Sequence, residues 1–113
     1  MMNLEKIRAK ISGFEMDNFY VFDTINSLSF ETEKDFFNGK EYKTVILILD
    51  NNEYQVELKC IHTNFLRFQD TKTIKCFYIS PMDFQGYELG DRENEEFRLH
   101  CYDIEIERCE KLK

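Results

Sequence analysis

Val45-Ile-Leu-Ile-Leu49, Asp50-Asn-Asn-Glu53 and Tyr54-Gln-Val-Glu-Leu-Lys-Cys60 form the stretch that decides the fold. The first five residues are apolar on both faces, as a strand inside a sheet requires. The next four are turn chemistry, because Asn and Asp side chains bond to nearby backbone. Beyond them Tyr54, Val56, Leu58 and Cys60 alternate with Gln55, Glu57 and Lys59, the period of two that marks a half-buried antiparallel strand. The pattern predicts a hairpin, with Ile46, Ile48, Val56, Leu58 and the later Phe68 in the core.

Composition extends the β reading outward from the hairpin. The 113 residues hold 11 Phe and 6 Tyr, no Trp, and Ala9 as the single alanine. Aromatic residues suit a pleated surface, whereas the best helix former is almost missing. Phe19 to Phe22 and Leu28 to Phe30 read as extended chain, and the apolar phase changes between Ile25 and Leu28, which implies a bulge or break. Thr32, Asp35 and Gly39 suggest one helical turn over Glu33 to Asn38. Downstream, strands are expected at Phe65–Gln69 and Ile74–Ile79, separated by the turn Asp70-Thr-Lys-Thr73. Ser80 to Asn94, with Pro81, Gly86 and Gly90, reads as the longest loop, with a brief strand at Tyr87–Leu89. A last strand starts near Glu96. Its apolar phase passes from Phe97, Leu99 and Cys101 to Tyr102, Ile104 and Ile106, so a bulge is expected at Cys101/Tyr102. At the other end, Asn3 caps and Gly13 stops a short helix carrying Leu4, Ile7 and Ile11 on one face. The expectation is a single domain over residues 1–113, mainly β. It is an antiparallel meander, a sandwich or a partly open barrel, with one N-terminal helix packed on it.

Charge narrows the function classes. The chain carries a net −7, and residues 83–110 alone hold ten acids against three bases. A field of one sign repels nucleic-acid phosphate and anionic membrane and attracts basic partners. No secretory leader is legible at Met1–Lys10, and the longest apolar run is Val45–Leu49. A cytoplasmic location is therefore expected, with Cys60, Cys76, Cys101 and Cys109 as free thiols.

The chemical inventory is thin. Cys60 and His62 share a strand face and His100 adjoins Cys101, yet no C-x₂-C pair supports zinc. Asp91, Glu93 and Glu95 open with calcium-loop spacing, but the sixth and twelfth positions hold Glu96 and Tyr102 rather than Gly and Glu. No G-x-S-x-G, phosphate-cradling glycine loop or Cys–His constellation is present, so the expectation is a non-enzyme without metal or cofactor. The acids supply the candidate site. Asp103, Glu105 and Glu107 line one face of the last strand, and with Asp91, Glu93, Glu95 and Glu96 they read as a partner-docking face. A solvated, aggregation-resistant edge is the competing account.

The layout of Val45–Leu49, Asn52–Lys59, Phe65–Phe68 and Phe97–Glu107 behind an N-terminal helix resembles the small acidic immunity proteins of bacterial polymorphic-toxin systems. That resemblance implies a cytoplasmic antidote that occludes a toxin domain, and it carries over no catalytic or binding residue. The expected function is thus a protein-binding inhibitor of a basic partner, monomeric or homodimeric. The alternatives are a β domain whose aromatic surplus lines a small-ligand pocket and a structural subunit completing a homodimer sheet.

Overall fold

The computed structural model describes residues 22–69, 72–83 and 85–112. These build six strands: β1 (Thr24–Lys34), β2 (Glu41–Asp50), β3 (Tyr54–Phe68), β4 (Phe77–Pro81), β5 (Tyr87–Asp91) and β6 (Asn94–Lys111). All six join one antiparallel sheet in the order β1-β2-β3-β6-β5-β4. No helix occurs among the described residues, so none there is long and apolar enough to cross a membrane. The helix expected from Asn3 to Gly13 lies outside the described residues, as does all of the Phe19–Phe22 stretch except Phe22, which is buried.

The deciding hairpin forms as its residues dictate. Asn51 Oδ1 accepts from the backbone N–H groups of Glu53 and Tyr54, both at 2.7 Å, and the Asn51 N–H donates to the Tyr54 carbonyl. This turn sets the register, so Leu49 faces Val56, Leu47 faces Leu58 and Val45 faces Cys60. All six are fully buried. Ile46 and Ile48 are not. They stand opposite Lys59 and Glu57 on the outer face and are only half-buried, because one face of this sheet carries the core. Phe68 is likewise half-buried, packed at the core's margin.

The phase change after Ile25 is a bulge: Ile25 pairs with Leu49 and Ser27 with Ile48, leaving Asn26 over. The helical turn expected over Glu33–Asn38 falls later, at residues 35–39, and is a single i to i+4 turn. β1 continues to Lys34, and residues 35–40 form a hairpin loop in which the Gly39 N–H reaches the Asp35 carbonyl. β3 is also continuous where two strands were expected. It spans His62, whose φ of 52° is left-handed, and drops Asn64 from the pairing. The surplus residue thus falls opposite the His100/Cys101 step, one residue from the expected Cys101/Tyr102, and on the facing strand. Between the pairs Cys60↔Ile104 and Leu66↔Leu99, β3 advances six residues and β6 five.

The stretch expected as a loop after Ser80 contains most of a hairpin. β4 runs to Pro81, which an edge strand tolerates because the missing N–H need not serve a ladder. Gly86, at φ 90°, turns the chain where any Cβ would collide with the Cys101 carbonyl, and β5 returns to place Tyr87 and Leu89 in the core. The first residues of β1 meet the lead-in to β4: Thr24 bridges Thr73, the Ile25 N–H bonds the Lys72 carbonyl, and the Ile74 N–H bonds the Asp23 carbonyl. Both halves of the sheet therefore share one core, in which Phe22, Leu47, Leu58, Phe77, Leu89, Phe97 and Leu99 are almost wholly excluded from water.

Candidate functional site

The acids singled out in the sequence do not form one patch. Asp91 is buried, at 4% exposure. Its Oδ1 accepts from the N–H groups of Cys76 and Glu93, at 3.0 and 2.9 Å, and its Oδ2 from that of Lys75, at 2.9 Å. It fastens the lead-in of β4 to the β5–β6 turn. Glu93, Glu95 and Glu96 are exposed at that turn. Asp103 and Glu105 lie seven residues or more along β6, over 20 Å away at about 3.3 Å per residue. They share the outer face with Ile61 and Lys59, directly across on β3. Glu107 leaves that row, because Leu58 pairs with Ile106 and Glu57 with Arg108, making Glu107 the bulged residue. From Tyr102 onward β6 pairs with β3 alone among the described residues, so these acids also border an open edge.

At the same end of the sheet a cleft of about 530 Å³ is lined by Glu41, Tyr42, Lys43, His62, Thr63, Asn64 and Tyr102. Tyr42 stacks on His62 with ring centroids 4.1 Å apart, and Tyr102 leans over His62 at 6.2 Å. His62 has a left-handed backbone, at φ 52°, and strained residues beside bulges concentrate at functional sites. Asn38 reaches the Tyr42 hydroxyl from the β1–β2 loop, at 3.3 Å, and so ties that loop to the cleft.

The loop itself carries Phe36 and Phe37, which are 99% and 102% exposed. Their side chains do nothing for the turn. The bonds that build it come from Asp35, whose Oδ1 accepts from the Phe37 N–H and whose N–H reaches the Lys40 carbonyl, from Asn38, whose Oδ1 accepts from the Lys40 N–H, and from Gly39 at φ 70°. The sequence reading placed a turn here but did not single out this pair. The available signal was Asp-Phe-Phe-Asn-Gly itself, since turn-forming residues enclose two adjacent aromatics that a strand cannot point the same way.

The outer face of the other half-sheet differs. Phe65, His100, Glu88 and Ser80 make one row across β3, β6, β5 and β4, and Arg67, Arg98, Gly90 and Tyr78 make the next. The Tyr78 hydroxyl donates to Glu88 Oε1 at 2.7 Å, and His100 Nε2 meets Glu88 Oε2 at 2.8 Å. Burial, followed by the bond to Glu88, pushes the Tyr78 phenol up to about 12. The Tyr78 bond, outweighing burial and helped by His100, holds Glu88 below its ordinary range. Arg92 lies 4.5 Å from the Tyr78 ring centre. Among the described residues no group of three or more His, Cys, Asp or Glu converges as metal ligands would. No protein family, curated protein or solved structure matches the chain.

Proposed function

We propose that this domain is a protein-binding inhibitor of the immunity type. In this reading it seats Phe36 and Phe37 in an apolar recess of its partner while the Tyr42–His62–Tyr102 cleft and the acids Glu41, Asp103 and Glu105 form the surrounding contact. The carrying observation is the near-complete exposure of both phenylalanines on a loop that needs neither. An exposed aromatic pair gives up roughly 150–250 Å² of ring surface each to water, and such side chains are the usual anchors of interfaces, worth about 2 kcal/mol or more when buried centrally. The net charge of −7 opposes an anionic membrane as the alternative occupant and favours a basic protein. Acids at the rim then speed encounter more than they tighten the complex.

The test is co-expression with the protein encoded beside this one, followed by association kinetics on the purified pair. F36S/F37S should fold normally and bind about 30-fold more weakly or worse, mainly through faster dissociation. D103N/E105Q should slow association and flatten its salt dependence. Wild-type affinity and protection in F36S/F37S would refute the anchor.

A further inference from the structure

Arg67, Arg92 and Arg98 are three of the five arginines in a chain with 22 acids and 15 bases. None has a carboxylate at ion-pair distance among the described residues, where the ion pairs belong to Arg108 and His100. Arg67 and Arg98 are moreover direct cross-strand partners, an arrangement in which like charges repel. Glu88 is the one acid in these two rows; its oxygens are bonded to Tyr78 and His100, and it meets the Arg98 charge only through space, beyond ion-pair distance. Two arginines paired across the strands, neither in an ion pair among the described residues, can form a fork for an oxyanion, since each guanidinium presents parallel N–H donors to paired oxygens.

The neighbouring row supplies a stacking surface. Phe65 is 42% exposed and rests on His100 with ring centroids 4.9 Å apart. Along a strand, residues two apart are separated by about 7 Å, so an anion between Arg67 and Arg98 and a ring over Phe65 lie roughly one nucleotide apart. We propose that this face binds a mononucleotide, with the phosphate between Arg67 and Arg98, Arg92 at the margin, and the base against Phe65. A longer polyanion is disfavoured because Glu93, Glu95 and Glu96 stand exposed beside Arg92 at the β5–β6 turn. Net acidity concealed this site: the three arginines are scattered in sequence, and strand pairing assembles them. It lies on the other half of the sheet from the aromatic loop, so either proposal can fail alone.

The experiment is calorimetric titration of the full chain with adenosine 5′-monophosphate, beside adenosine, inorganic phosphate and a single-stranded oligonucleotide. The mononucleotide should bind saturably and more tightly than adenosine or phosphate alone, and more weakly as salt rises. R67A/R98A should lose about tenfold or more in affinity, and F65L about fivefold or more. Because the paired arginines repel, R67A/R98A should melt at or above the wild-type temperature, which separates lost binding from lost folding. If that variant nevertheless fails to fold, R98Q alone should show the weakening. Absence of saturable binding at millimolar mononucleotide, equal binding by the arginine variants, or tighter binding of the oligonucleotide would each overturn the assignment.

Discussion

Asp91→Asn separates a structural carboxylate from a docking one. Its two oxygens take three backbone N–H groups, from Lys75, Cys76 and Glu93, all at 2.9–3.0 Å. An asparagine keeps one oxygen, enough for Cys76 and Glu93, but turns an amide N–H₂ toward the Lys75 N–H where a carboxylate oxygen stood. One charge-assisted bond is lost, a donor is left facing a donor, and two bonds fall from charged to neutral strength. A hydrogen bond to a charged group is worth about 1.5–3 kcal/mol, and a stranded buried donor costs about 1–3 kcal/mol. The loss expected for D91N is therefore about 2–4 kcal/mol, and D91A, which strands all three donors, should cost more. Urea unfolding at neutral pH followed by circular dichroism would measure both, with the midpoint falling and the slope unchanged. Partner binding measured under folding conditions should be unaffected in D91N. A stability change below about 1 kcal/mol would refute the staple, and normal stability with weakened binding would return Asp91 to the docking face.

Three further outcomes follow from the core and from His62. Cys60 and Cys101 are buried, and the Cys60 thiol is pushed well above its ordinary value, first by its hydrogen bond with Cys101 and then by burial. Iodoacetamide should label half-exposed Cys76 before either of them, and native-state labelling of Cys60 ahead of Cys76 would contradict the burial. A raised thiol pKa keeps its proton in the folded state while the unfolded chain gives it up, so stability should hold below about pH 9 and decline above it. Tyr78, raised to about 12, extends the decline upward from about pH 10. A flat urea midpoint from pH 8 to 10.5 in reducing buffer would exclude both. At His62, with φ 52°, glycine should be about 1 kcal/mol more stable than alanine: both lose the Tyr42 stack, and only alanine retains the left-handed penalty. Equal melting of H62G and H62A would show the backbone there to be unstrained.

What the sequence made legible was local. The hairpin over residues 45–60 could be read because alternation, turn residues and register all lie within one short span, and the bulge near Asn26 because a phase change is visible in the strand that carries it. The bulge near Cys101/Tyr102 was legible only in level: a phase change on β6 does not say that the surplus residue sits on β3 at Asn64. Ile46 and Ile48 misled because an apolar side chain does not reveal which face of the sheet is open. Asp91 looked like its acidic neighbours until pairing brought the Lys75–Cys76 backbone against it. Arg67 and Arg98, far apart in sequence, become neighbours only through the β3–β6 ladder.

That ladder also explains how one sheet presents two outer faces of opposite character. β3 and β6 run through the whole domain, paired from Tyr54 to Phe68, and the surplus residue near His62 lets the inward row pass from Cys60 and Ile104 to Leu66 and Leu99. On β6 the parity of the inward residues inverts across that point, from Ile104 and Ile106 to Cys101, Leu99 and Phe97. The outward residues invert with them, so odd-numbered Asp103 and Glu105 give way to even-numbered His100 and Arg98. Without the irregularity a strict alternation would carry either the acids or the leucines of β6 to the wrong side. The bulge is thus what lets one strand face outward with acids at one end and with arginine and histidine at the other.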